Sequence, residues 1–227
     1  MTPNNPESDA VKPPNVNRIA VWLRATGVAA ATLLVLSWLL GLIIWLPLYS
    51  GLFGFIVAGL IAGGISFRFA RPLRPAATGG ILVAAAALAF INSTSSLYWE
   101  FHHVANRAGR YGGFDKLRIK AAREGRPRAE FFERATSTFR QKLAEQHAPG
   151  GLFGYAQWCF NSGELRLEID DASDVVTVPH RGWAWAVRTA AGFVLTLLGI
   201  WFSFEALRSP SPVSNTIGLD EEYEEID

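Results

Sequence analysis

Residues able to do chemistry are few in this chain, and most crowd one segment. Glu100, His102 and His103 stand together in the run WEFHH. On a helix, Glu100 and His103 are i,i+3 and share a side, as in a carboxylate–histidine metal pair. The other two histidines are His147 and His180. A metal centre would have to combine Glu100, His102 or His103 with His147 or His180. A di-metal bundle needs further carboxylates from facing helices, and the apolar runs supply none. The plainer reading is a set of interfacial histidines packed among aromatic neighbours. No metal and no other cofactor is expected.

Cys159, the single cysteine, lies in the aromatic run YAQWCF. A catalytic thiol needs a base and a lowered pKa; without them it is a small packed hydrophobe. One cysteine excludes an intramolecular disulfide framework and a thiolate zinc cluster. GxSxG, HExxH, P-loop and GxGxxG patterns are absent. The balance leans away from an enzyme.

Two charged segments are candidates for contact. Arg118, Lys120, Arg123, Arg126 and Arg128 form a basic stretch. It reads as a solvated helix face, with anionic lipid or a protein as the alternative contact. Nucleic acid is not expected, since no binding motif accompanies it. The chain ends in DEEYEEID. Such a run repels itself and stays solvated, or docks a basic partner with Tyr223 as an anchor.

The elements that would position these residues follow from composition. The chain has 227 residues, 50% hydrophobic and 18% charged, with net charge +1. A soluble domain carries about 25% charged residues. A disordered chain, a nucleic-acid-binding domain and a typical cytosolic enzyme are all disfavoured. The apolar residues are gathered in runs. Residues 25–48, 51–67 and 76–97 carry no charge, and residues 183–204 carry only Arg188. At about 1.5 Å per residue the first run exceeds the roughly 30 Å of a bilayer core. A soluble helix would show a polar face, and the first run has none. Trp22, Trp45, Tyr49, Tyr98, Trp99, Trp183 and Trp201 flank the runs, as interfacial aromatics do. The first run is too long for a signal-peptide core and reads as an uncleaved anchor. Arg188, five residues past Trp183, is expected to snorkel to the interface.

The expected architecture is an α-helical membrane protein. Four transmembrane helices carry a small α+β loop domain, residues 98–182, between spans three and four. Within it, residues 114–124 and 128–146 read as helices, the second with an apolar face of Phe131, Phe132, Ala135, Phe139 and Leu143. Residues 155–160, 164–169 and 174–179 read as a short antiparallel β-meander. Residues 1–24 and 205–227 read as disordered tails. Gly59 and Gly63 form a GxxxG pair, expected to pack span two on the Gly80/Ala84 face of span three; homo-oligomer formation through them is less favoured. Asn92–Ser96 read as a span end entering the interface.

Arg68, Arg71 and Arg74 crowd the second-to-third connection, and Lys12, Arg18 and Arg24 precede the first span. Positive-inside counting puts the termini in the cytoplasm and the loop domain outside, at a plasma or inner membrane. The functional expectation is a non-enzymatic multi-pass membrane protein. Apart from the lipid bilayer, its partner would be a protein bound through the loop domain or the acidic tail. A metal-dependent membrane enzyme using Glu100, His102 and His103 is the first alternative. A subunit of a transport or pore complex is the second, disfavoured by the lack of ionisable groups in mid-span.

Overall fold

The computed structural model describes residues 18–70, 78–108, 119, 122–125, 127–169 and 172–208. Its elements in chain order are α1 (Arg18–Leu42), a 3-10 turn (Ile43–Trp45), α2 (Leu48–Ala70), α3 (Thr78–Arg107) and α4 (Arg128–Gln146). They continue with α5 (Gly151–Asn161), β1 (Glu164–Ile169), β2 (Ala172–Thr177) and α6 (Trp183–Arg208). Helices α1, α2, α3 and α6 are long and apolar enough to cross a membrane. They bury an apolar core that includes Leu33, Ile81, Ile200 and Phe204, yet their outer surface is apolar as well. Leu34, Val35, Leu39, Phe53, Val83 and Phe90 face outward, while Ser37, Ser66, Asn92 and Thr196 are buried. That is the pattern expected when lipid replaces water around the bundle.

α1 gives way to the 3-10 turn, and Pro47, which has no N–H to leave unpaired, precedes α2. The four long helices associate chiefly as α1 with α3 and α2 with α6. This differs from the expected packing of span two on span three. A Cβ on Gly59 would strike the Thr196 carbonyl oxygen and come within 3.1 Å of the Gly199 Cα. One on Gly63 would lie 2.6 Å from the Ser203 Cβ. The GxxxG ridge of α2 therefore meets a second small-residue ridge on α6, made of Gly192, Thr196, Gly199 and Ser203. It brings two backbones together within one chain.

α3 does not stop near residue 97. It runs on to Arg107, and Phe101, Val104, Ala105 and Ala108 at its far end join the core of the small domain. The boundary expected at residue 98 is thus a continuous helix shared by bundle and domain. α4 runs back along α3: Thr136 Oγ1 donates to the Ala105 carbonyl at 3.3 Å, and the Arg140 guanidinium lies 5.9 Å from the Phe101 ring. Ala135, Phe139 and Leu143 on α4 are buried, as their spacing predicted.

The expected strand over residues 155–160 is helical. Gly150 and Gly151, at φ 76° and 60°, turn the chain into α5. Gly154, Tyr155, Trp158 and Cys159 then bury one helical face against the core. The aromatic β-propensity of the run yields to this packing. The expected meander is accordingly a two-stranded hairpin. β1 and β2 pair antiparallel, Leu165 opposite Val176 and Leu167 opposite Asp174. Leu165, Leu167 and Ile169 alternate inward as the sequence indicated. The expected helix over residues 114–124 lies largely outside the described residues, as do both tails. The domain stands on the same side as the α1–α2 turn. The Arg107 guanidinium lies 4.6 Å from the Trp45 ring, and His180 Nε2 is 3.4 Å from the Leu46 carbonyl.

Candidate functional site

The polar centre of the molecule lies where the domain meets the bundle. Glu100 on α3 and Arg188 on α6 are both buried, and Arg188 Nη2 donates to Glu100 Oε2. The other carboxylate oxygen accepts from Tyr155 Oη at 2.9 Å and from Trp185 Nε1 at 3.0 Å. Trp185 and Arg188 are i,i+3 on α6 and so share a face. Tyr155 reaches in from α5. Three helices thus converge on one carboxylate.

The sequence folds this way locally for identifiable reasons. Arg188 lies five residues into α6, about 7.5 Å from Trp183 along the axis at 1.5 Å per residue. An unpaired guanidinium at that depth would be costly, and a carboxylate on the neighbouring helix compensates it. Tyr155 and Trp185 each carry one polar group on an apolar body, and both groups find the acceptor they need when buried. Below Tyr155, the Cys159 thiol is buried as well. Burial pushes both the Tyr155 phenol and the Cys159 thiol well above their usual ranges, and the nearby Glu100 carboxylate pushes the same way. Both stay protonated and unreactive at neutral pH.

A cavity of about 20 Å³ adjoins the ion pair, lined by Phe55, Ser93, Ser96, Leu97, Glu100, Arg188 and Thr189. That volume suits about one water molecule. Arg188 Nε and Ser93 Oγ, both buried, have no hydrogen-bond partner among the described residues.

Further down the bundle the polar residues continue. Ser96 Oγ donates to the Asn92 carbonyl at 2.7 Å, and Asn92 Nδ2 donates to Thr196 Oγ1 at 3.1 Å. The Ser37 and Ser95 hydroxyls are 2.5 Å apart, joining α1 to α3. Asn92, Ser95 and Ser96 therefore make interior contacts in the middle of α3, with Thr94 facing outward, and the run is not a span end at the interface.

The five candidate metal ligands do not converge. The Glu100 carboxylate is held as described. His102 Nδ1 accepts from Arg140 Nη2 at 3.3 Å, and its ring lies 4.3 Å from that of Tyr98. His103 Nε2 is 3.4 Å from the Trp38 carbonyl on α1. His147 ends α4, its N–H donating to the Leu143 carbonyl. His180 faces the α1–α2 turn. Among the described residues no three His, Cys, Asp or Glu side chains are grouped to hold a metal ion. Arg123 and Arg128 are exposed; Arg118, Lys120, Arg126 and Tyr223 lie outside the described residues.

Arg188 does not snorkel outward but pairs inward, and Tyr155 and Trp185 are site residues that sequence reasoning missed. The signal available was the pairing of opposite charges at the same end of two apolar helices, Glu100 after the third run and Arg188 early in the fourth. Comparison of the chain with family models, with curated proteins and with solved structures found no match in any of the three.

Proposed function

We propose that the chain is a non-enzymatic multi-pass membrane protein that holds its α+β domain in a fixed pose on the bilayer surface and binds a protein partner there. The observation that carries this reading is the commitment of Glu100. A carboxylate that performs acid–base chemistry or holds a metal needs a lone pair open to substrate or ion. Glu100 instead takes three donors, from Tyr155, Trp185 and the Arg188 guanidinium that neutralises its charge, which leaves about one acceptor site, toward a cavity of one water's size. It acts as a fastener between domain and bundle.

The partner surface we assign is the open groove between α3 and α4, about 710 Å³, lined by Asn106, Phe132, Glu133, Thr136, Ser137 and Arg140. Its mix of an aromatic ring, hydroxyls, an amide and both charges suits a peptide segment better than a small apolar ligand. The arginines of the α2–α3 connection favour a cytoplasmic position for that connection and an extracytoplasmic one for the domain, at a plasma or inner membrane.

The test is a photo-crosslinking side chain at Ser137 in native membranes. A discrete protein adduct, abolished by Thr136→Trp in the same groove, supports the reading. Adducts to lipid alone, or an adduct pattern unchanged by Thr136→Trp, overturn it.

A further inference from the structure

The domain leaves an uncharged aromatic stripe exposed beside the start of α6. α5 reads GLFGYAQWCFN and contains no charged residue. Its inner face is in the core. Its outer face presents Phe153, 79% exposed, and Phe160, 43% exposed, with Ala156 and Gln157 between them. Residues seven apart lie on one stripe of a helix, about 10 Å along it. Trp183, 77% exposed and the first residue of the span α6, extends the stripe: its ring packs edge-on against Phe160 at 5.5 Å.

The level of this stripe follows from the contacts of α4 and α5. α4 descends along α3 from Ala105 to Phe101, so its C-terminal end reaches the top of the bundle. α5 starts there, where a Cβ on Gly150 would touch Ala144. Midway, Tyr155 Oη reaches Glu100 inside the bundle. At its other end the Gly182 N–H, just before α6, donates to the Cys159 carbonyl at 2.8 Å. These contacts place α5 beside Glu100 on α3 and beside the first residues of α6.

We propose that α5 is an interfacial helix, its Phe153–Phe160 stripe seated between the head groups and acyl chains of the membrane that the four long helices cross. Such a face gains by burying rings at the acyl boundary, and Trp183 is a residue type that prefers that depth. Through Trp183 the stripe is continuous with exposed apolar residues of α6, Val187 and Val194, and its lack of charge matches a medium that penalises charge. The domain is thus fastened twice, by Glu100 within and by the aromatic stripe outside.

The test uses the full chain in phosphatidylcholine nanodiscs. An environment-sensitive fluorophore is attached at Phe153→Cys or Phe160→Cys, and the buried Cys159 stays unlabelled in the folded protein. Labels at Val35→Cys, exposed on α1, and Ser137→Cys, exposed on α4, set the lipid-facing and water-facing limits. Expected is strong quenching by lipids carrying a nitroxide high on the acyl chain, loss of quenching by aqueous iodide, and a blue-shifted emission, all close to the Val35 values. Iodide quenching equal to that at Ser137 would overturn the proposal. So would shielding from both quenchers, which would mean that protein covers the stripe.

Discussion

Arg188 and Glu100, eighty-eight positions apart, form the buried ion pair through which α6 and α3 are joined at the base of the domain. The carboxylate also accepts from Tyr155, so the helix that carries the aromatic stripe is tied to the same point. Moving α5 relative to the bundle would break the Tyr155 hydrogen bond to a charged group that Trp185 and Arg188 hold in place. Bonds to charged groups are stronger than neutral ones, and both members of the pair are buried. The junction is therefore a fixed point and not a hinge.

Removing one member of the pair leaves a buried charge without compensation. Arg188→Leu is expected to destabilise the folded chain by about 3–5 kcal/mol. The double replacement Glu100→Leu with Arg188→Leu is expected to cost less than the sum of the two singles, although Tyr155 and Trp185 then lose their acceptor. Denaturant unfolding in mild detergent over the full double-mutant cycle measures the coupling. Additive costs would mean that the two groups do not interact in the folded chain.

The bundle was legible because hydrophobic runs are long-range averages. Three charge-free stretches and a fourth with a single arginine survive errors at their ends, and each appears as a helix. Their partners were not legible, because the ridge Gly192, Thr196, Gly199, Ser203 looks unremarkable until it is set against Gly59 and Gly63. Phe139 and Leu143 were readable from spacing alone, as was the alternation of Leu165, Leu167 and Ile169. The run YAQWCF misled because its residues favour strands, while the burial of Tyr155, Trp158 and Cys159 follows a helical spacing that competes with that preference. The carboxylate site failed for a different reason. Glu100 was read with its sequence neighbours His102 and His103, but its chemistry comes from residues 55 and more positions away.

Close approach of α2 and α6 makes two glycines of one helix behave differently. Gly59→Ala drives a methyl group into the Thr196 carbonyl and is expected to cost about 1–3 kcal/mol, as overpacking does. At Gly64 a Cβ meets nothing within 4 Å. Gly64→Ala is expected to be neutral or to stabilise by up to about 1 kcal/mol through helix propensity. Thermal unfolding in one detergent distinguishes them. Equal effects at the two positions would show that the α2–α6 contact is looser than described.

Asn92 and Thr196 share a hydrogen bond inside the bundle at 3.1 Å. Polar contacts between membrane helices are worth less than their burial suggests, about 0.6 kcal/mol on average, because the separated helices also find partners. A cycle of Asn92→Ala and Thr196→Val is expected to return a coupling of that order. A coupling of several kcal/mol would point to a further group held between the two side chains.

Cys159 gives a pH dependence with a definite sign. Burial, and then the Glu100 charge, hold its thiol well above the ordinary range in the folded chain. Unfolding restores a thiol with a pKa of about 8.5. Below that pH both states keep the proton and stability does not depend on this group. Above it the unfolded state releases the proton and the folded state does not, so stability falls as pH rises toward the folded value. Tyr155 acts in the same direction from about pH 10 upward. Unfolding midpoints are therefore expected to drop between about pH 8 and 10, and Cys159→Ala is expected to flatten that slope while lowering stability at neutral pH. In the folded chain the thiol is expected to resist a maleimide at pH 8 and to react once denaturant is added. Rapid labelling without denaturant would mean that α5 leaves the core on the timescale of the reaction.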